Sequence, residues 1–517
     1  MSKQYIIGIE LGSTRIKSVL IGPDASVIAQ GSHTWKSELR DGLWTYNLDD
    51  VWHGLQAAYG ELRQNFCTKT GEDLTEVTAI GISAMMHGYL ALDDEDNLLV
   101  PFRTWQNTNT AEAAGELTTL FNFNIPERWS VAHFYQAVLN EEAHVSKVAY
   151  LTTLAGYVHY RLTGRKVLGI GDASGIFPIE NFTYNPSMLQ ALNRCLYSKG
   201  ISRDFGTLLP KILLAGDTAG ILTEEGARLL DPSGSLHPGC ILCPPEGDAG
   251  TGMIATNSIK PRTANVSAGT SAFLMAVLEK PLLGLYHEID MVTTPTGLPV
   301  AMIHVNNFTA EINAWEALFE ELIALVGGQI DREELFERLY RTALDGDADC
   351  GGMLGYNFQA GEPIAGVVSG IPLLMRSQGG RLTLSNLMKM HIYSSLGSLA
   401  LGMDILRHEK IQLDVVCGHG GFFKAGEISA ITMSAAIGTP VILMRNAGEG
   451  GAWGMALLAL MATQGERDAE RFLSRIFSCA ERVTVSADTK VTQDFQSFMI
   501  RYQNGLAVEK MASTLLK

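Results

Sequence analysis

Apolar and polar positions alternate at the start of the chain with the period of a strand. Residues 4–11 (QYIIGIEL) and 15–21 (RIKSVLI) are two such runs on either side of the turn Gly12-Ser13-Thr14, and residues 26–30 form a third after GPDAS. The period then lengthens. Over residues 48–66 Val51, Leu55, Ala58 and Leu62 recur at helical spacing, behind Asp49 and Asp50, whose charge suits a helix N-terminus. A strand over 77–85, helices over 111–121, over 137–163 with a break and over 187–196, and a buried strand over 236–243 complete the first half. Past residue 257 the opening pattern returns. Residues 264–278 read as strand, turn and second apolar run, with Gly269-Thr270-Ser271 in the place of Gly12-Ser13-Thr14. Helices over 311–325, 331–344 and 387–407, strands over 413–418 and 440–444, and a helix after Gly450 follow.

This repetition predicts a duplicated domain, with residues 1–256 and 257–517 as the two halves. No linker rich in Pro, Ser or charge lies near 250–262, so the halves are expected to share a hinge and not a tether. A length of 517 residues exceeds what one hydrophobic core supports, and 46% hydrophobic with 18% charged residues is a globular α/β balance. A cleft between two domains is the expected place for chemistry.

The formal net charge of -16 argues against nucleic acid or an anionic membrane as partner, because phosphate backbones need a basic surface. The N-terminal apolar run is a strand and not a signal segment, and AWGMALLALMA (residues 452–462) is too short to cross a bilayer and reads as a buried helix. The seven cysteines are scattered and odd in number, as in a reducing cytoplasm. Cys240 and Cys243 form a CxxC with no second pair or flanking His, and read as two core thiols.

Candidate chemistry gathers at the glycine turns. A Gly followed by hydroxyl residues at a hairpin tip can surround phosphate oxygens with amide and hydroxyl donors, so the Gly12 and Gly269 tips would hold a nucleotide's phosphates without a basic surface. Lys17 could add one point charge. A third cluster (Gly418, Gly420, Gly421, Lys424) lies between a strand and a helix, and a fourth (Glu449, Gly450) opens another helix, where small residues let a flat ring approach. Each turn alone is equally a plain packing turn. Asp248, in a glycine-rich turn after Pro244-Pro245, is either a general base or a helix N-cap. Glu10 at the end of the first strand, His87 in its turn and Trp105 each have a plain reading from the residues alone, as a solvated acid, a satisfied turn histidine and a core ring.

In IELGSTRIK, LWTYNLDDVW, the Met86-His87-Gly88 turn, RLTGRKVLGIGDASG, GDAGTGMIA, VSAGTSA, GHGGFFK and EGGAWGMALLA, the sequence resembles the FGGY carbohydrate kinases, and within them most closely the xylulose kinases. The matches run in family order from residue 5 to about 460. The resemblance implies two ribonuclease-H-like domains of the actin and hexokinase superfamily, closing over ATP and a small sugar. It implies Asp248 as the base, Met86, His87, Trp105 and Asn107 at the sugar, and the glycine turns at the nucleotide. Magnesium would sit near Glu10, where the family usually has Asp. A cytoplasmic enzyme, with a homodimer as the usual assembly, is the expectation by resemblance. The chain departs from the xylulose kinase pattern at Trp105-Gln106-Asn107-Thr108-Asn109, where two charged residues have become amides, and in HVNNFTAEINAWE (residues 304–316). Amides both donate and accept and so still suit polyols. Three readings therefore stand: a D-xylulose kinase, another ketose or polyol kinase such as a ribulokinase, and a non-catalytic ATP-binding regulator that keeps the hairpins without sugar chemistry.

Overall fold

The computed structural model describes residues 4–444 and 450–516, the side chain of Cys479 apart. In the first half β1 (Ile6–Leu11), β2 (Arg15–Ile21) and β3 (Val27–Thr34) form an antiparallel run beside helix α1 (Leu48–Thr70). The central strand β4 (Ala79–Ala84) lies parallel to β1, and short strands β5 (Gly220–Ile221), β6 (Ile241–Leu242) and β7 (Glu246–Gly247) extend the same seven-stranded sheet. Helix α2 (Asp248–Ala255) follows at once.

The second half repeats the plan. Strands β8 (Thr263–Ala268), β9 (Ala272–Val277), β10 (Ile289–Thr293) and β11 (Pro299–Val305) are followed by helix α3 (Leu384–His408), β12 (Val415–His419), β13 (Val441–Met444), helix α4 (Gly450–Thr463) and β14 (Arg482–Val485). The sheet order is β5-β6-β4-β1-β2-β3 in the first half and β14-β13-β12-β8-β9-β11-β10 in the second. Six strands match in order and direction, with β1 antiparallel to β2 and parallel to β4 as β8 is to β9 and β12. The duplication expected from the two turns is therefore a duplicated sheet.

The alternation of β1 decides where its side chains go. Ile7, Ile9 and Leu11 enter the core shared with α1, so Gly8 and Glu10 face the other way, toward α4. A Cβ at Gly8 would overlap the Ala452 carbonyl and the Ala456 amide, and at Gly454 it would overlap the Thr251 carbonyl. Glycine at both positions lets α4 lie against β1 and α2. Helix α4 is apolar all round and buried from Gly451 to Ala462 apart from Trp453, which fits a helix enclosed on every side. Although it follows the second sheet in sequence, it packs on the first.

Two expectations change. The helix read over 137–163 with a break is indeed broken, but it starts earlier, as a helix at Ser130–Leu139, and a short strand at Tyr150–Thr152 fills the break before Thr153 caps the helix at Leu154–Thr163 by accepting the Gly156 amide. The strand read over 236–243 pairs only at Ile241–Leu242, since Pro238 has no N–H and Gly239 turns the chain with φ 106°. Strands β10 and β11 and the C-terminal helix α5 (Thr489–Leu515) had no reading from sequence. Cys240 and Cys243 are free and buried, as expected of core thiols.

Candidate functional site

The two hairpin tips meet at one cavity. Ser13 from the β1–β2 turn and Ser271 from the β8–β9 turn line a space of about 280 Å³ together with Asp248, Met86, His87 and Trp105. Each tip is closed by a glycine amide, the second tip being one residue shorter. Gly12 donates to the Arg15 carbonyl at 3.0 Å, and Gly269 donates to the Ser271 carbonyl at 2.9 Å. The outward carbonyls are taken up by protein donors: Trp35 Nε1 to Gly12 (2.7 Å) and Tyr46 Oη to Ser13 (2.6 Å) in one, Thr309 Oγ1 to Gly269 (2.8 Å) and the Phe308 amide to Thr270 (2.9 Å) in the other. With the carbonyls engaged, the tips offer an anion their amides and the hydroxyls of Ser13, Thr14, Thr270 and Ser271.

Asp248 is the first residue of α2, behind the two-residue strand β7 that pairs with β4. Its Oδ1 accepts the Met86 amide at 3.2 Å and the Ala249 amide at 2.9 Å. Burial pushes its carboxyl up to about 6 against the pull of those bonds, the range in which a carboxylate takes up a proton readily. The cap reading is corrected: Gly247 is the N-cap, with no side-chain cap bond, and Asp248 is the first helical residue with its carboxylate facing the cavity.

Behind it lie two further buried acids. Glu246 accepts the amides of Gly171 (3.2 Å) and Asp172 (2.9 Å), in a recess that side chains at Gly169 and Gly171 would fill. Asp172 accepts Thr153 Oγ1 at 2.6 Å. Burial raises both, Glu246 to about 8 and Asp172 to about 7.

His87 sits at φ 68° in the Met86-His87-Gly88 turn and is stacked on Trp129. Its Nδ1 lies 3.3 Å from the Gly175 carbonyl, so Nδ1 carries the hydrogen and Nε2 is left as an acceptor. Burial, then the Arg128 charge, hold the ring well below its usual range, hence neutral. Trp105 donates to Ser13 Oγ at 3.2 Å and forms one wall. Asn107 lies farther out. Its amide is tied to the Trp44 backbone (2.8 Å each way) and to the Thr104 carbonyl, and it lines an outer cavity of about 660 Å³.

On the opposite side Asp248 also lines a third cavity, of about 190 Å³, with Glu10, Gly450 and His419. Here the odd acid of β1 finds its setting. Glu10 occupies space that a side chain at Gly451 would need and accepts the Ala452 amide at the α4 N-terminus. Burial and then the Asp248 charge push it up to about 7, with Lys17, its cross-strand partner, opposing. Two buried carboxylates with little positive charge beside them form a donor set that would suit a divalent cation completed by ligand oxygens and water.

Gly418 is covered by the Phe423 ring, and Gly420, at φ 102°, passes so close to Ala268 that a Cβ would lie 2.5 Å from its carbonyl. Gly421 is open. Lys424 reaches Glu333 at 2.6 Å on the surface and lines none of the three cavities. Glu449 lies outside the described residues. The sequence reading missed Arg128 and His304 in the central cavity and Asn265 and His419 in the Glu10 cavity. His419 had a signal, a lone imidazole between glycines in GHGG; Arg128 had none.

Two repeated sheets closing on a cleft with one central carboxylate define a two-domain sugar kinase fold. The chain belongs to the FGGY family of carbohydrate kinases: the family's N-terminal domain matches residues 5–232 and its C-terminal domain residues 264–463. Among curated relatives the xylulose kinase of Haemophilus influenzae is 24% identical over 454 residues, covering 83% of this chain and 84% of that one. Two solved structures from Lactobacillus acidophilus share the fold at 16% identity. They are a ligand-bound xylulose kinase (TM-score 0.81, 99% of this chain and all of that one) and a gluconate kinase (TM-score 0.82, all of both). Among the described residues no helix is long and apolar enough to cross a membrane.

Proposed function

We propose that the protein transfers the terminal phosphoryl group of ATP to a terminal hydroxyl of D-xylulose, giving D-xylulose 5-phosphate. The observation that carries this reading is the place of Asp248, where a sugar-sized cavity meets a cavity edged by glycine turns and Glu10. From there the carboxylate accepts the proton of the sugar hydroxyl, whose oxygen forms the new bond to the γ phosphorus as the bond from that phosphorus to the β–γ bridging oxygen breaks and ADP leaves. His87 Nε2 accepts from a second hydroxyl, and Met85, Met86, Trp105 and Phe273 keep water from the carbon face. The tips at Gly12 and Gly269 hold the phosphates. Magnesium, with Glu10 as its protein oxygen, would offset charge on the phosphates.

The sugar's name rests on the curated relative and on the motif match. The Asn107 and Asn109 amides favour a second reading within the same chemistry, another ketose or polyol as acceptor. Coupled ADP release with ATP, magnesium and a panel of ketopentoses, aldopentoses, tetruloses, polyols and glycerol tests both. D-Xylulose giving the highest kcat/KM is the expected result. A different best substrate moves the name, and ATP hydrolysis indifferent to every sugar removes the proposal in favour of the regulator.

A further inference from the structure

The three cavities form a series. The central one shares Asp248, Ala249 and Phe273 with the Glu10 cavity, and shares Trp105, Arg128 and His304 with the outer one, while the Glu10 and outer cavities have no residue in common. Asp248 and the pair Arg128 and His304 therefore stand at opposite ends of the central space. If the reacting hydroxyl lies at Asp248, the far end of the substrate lies at Arg128 and His304.

That far end is made by both domains. Arg128 comes from the first, in the segment before the helix at Ser130–Leu139; His304 and Asp290 come from β11 and β10 of the second sheet. Arg128 is ion-paired with Asp290, and both are largely buried, at 21% and 8% side-chain exposure. Asn124 fixes the pair by donating to Asp290 Oδ1 (3.2 Å) and to the Ile289 carbonyl (3.0 Å). Burial and the Arg128 charge hold His304 down to about 3, so it is a neutral imidazole with one donor and one acceptor.

We propose that His304 and the Arg128–Asp290 pair are the specificity-determining residues for the end of the substrate remote from phosphoryl transfer, and that they select hydroxyls there and reject a carboxylate. This deepens the kinase reading above and rests on it. A hydroxyl donates and accepts, which matches a guanidinium, a carboxylate and a neutral imidazole side by side. A carboxylate only accepts. It would find the Arg128 charge already neutralised and would meet Asp290 at close quarters in a low-dielectric space. The substrate class is an uncharged ketose or polyol, and an aldonate of the same length is excluded.

The test pairs binding with turnover. Wild-type protein is titrated by intrinsic tryptophan fluorescence, Trp105 being in the wall, with D-xylulose, the matching polyols, D-xylonate and D-gluconate; ADP release is measured on the same set. Neutral sugars are expected to bind at least tenfold more tightly than aldonates. His304→Leu should raise KM for the best neutral substrate at least tenfold with kcat within about threefold, and His304→Gln, which keeps a donor and an acceptor, should restore most of the loss. Asp290→Asn, which frees the Arg128 charge, should improve aldonate binding relative to neutral sugars at least tenfold. Thermal unfolding of each variant separates these effects from misfolding. Wild-type protein that binds aldonates as well as neutral sugars, or that binds no neutral sugar, overturns the inference, as does a His304→Leu variant of unchanged KM. Tight binding of neutral sugars without ADP release would instead leave the specificity site standing and remove the kinase reading.

Discussion

Asp248 meets two opposed demands, since a base must be ionised to accept a proton while its burial favours the protonated form. Its folded-state position near 6, against an ordinary 3.8, means that the folded protein holds a proton the unfolded chain releases between those values. The stability this contributes is full below about 3.8 and is lost as pH rises through about 6. At pH 8 the ionised carboxylate therefore costs stability, on the order of 1–3 kcal/mol. Asp248→Asn is expected to lower kcat about 10²–10⁴-fold and to raise the thermal midpoint at pH 8, with the midpoint gain shrinking to nothing by pH 4. Kinetics and thermal scans at the two pH values check both halves; a variant that loses activity and stability together would make the Asp248 carboxylate a structural anchor for the Met86 amide. In the parent, kcat/KM for the sugar should fall on the acid side with a midpoint near 6. Glu10 gives a companion result. If it holds the cation, Glu10→Gln raises the magnesium concentration for half-maximal activity at least tenfold while stabilising the metal-free protein at pH 8, because its carboxyl too is raised, to about 7. A magnesium titration that superimposes on that of the parent would dismiss Glu10 as ligand.

At the scale of elements, glycines in the same strands and turns do different work, and substitution separates them. A Cβ at Gly269 would have its nearest neighbour 3.8 Å away, so Gly269→Ala should fold with unchanged stability; if this tip holds the phosphates as proposed, its effect should be a rise in KM for ATP of about tenfold, since the methyl would crowd their oxygens. Gly8→Ala should do the reverse, costing about 1–3 kcal/mol or more because the atoms it meets belong to the α4 backbone, with KM little changed once folded. Urea unfolding and ATP kinetics on the two variants form the check, and Gly269→Ala with normal KM would leave that tip a plain turn. These elements were legible in the sequence because hairpins and turns are local: three residues, a strand on each side, and a repeat in the other half. The N-terminus of α4 was legible as a glycine-started helix, yet nothing local said that it lies on β1; that follows from Gly8 and Gly454, whose meaning appears only when the surfaces meet. Arg128 and His304 could not be read at all, since 176 positions of sequence separate two residues that one cleft brings together. The break expected within 137–163 is there, but the strand that fills it could not be read, since Tyr150–Thr152 forms one only by pairing with Leu90–Leu92, far away in sequence.

For the whole molecule the question is whether the two halves are independent bodies. One hydrophobic core answers it, for it contains Ile6 and Ile254 from the first half, Met275 and Val300 from the second sheet, and Ala456 and Leu460 from α4. The floor of the cleft is thus a shared core, and the chain crosses it more than once. Residues 1–256 expressed alone would leave the face of β1 and β4 that α4 covers open to water, exposing Ile6, Ala79 and the glycine-lined backbone at Gly8 and Gly81 and taking the Ala452 amide from Glu10. That fragment is expected to be insoluble or molten, and to recover cooperative unfolding when co-expressed with residues 257–517, which supply α4. The full chain should unfold in one calorimetric transition, and saturating sugar or nucleotide should move that transition as a unit, by about 2.7 kcal/mol at one hundred times Kd. Two resolved transitions, with sugar shifting only one, would mean that the shared floor contributes little and that the halves are coupled by the hinge alone. A single transition would tie the stability of each half to the other. Closure over a substrate would then be a rotation of two sheets about a core that stays intact, with the Arg128–Asp290 contact and the two serine tips as its moving edges.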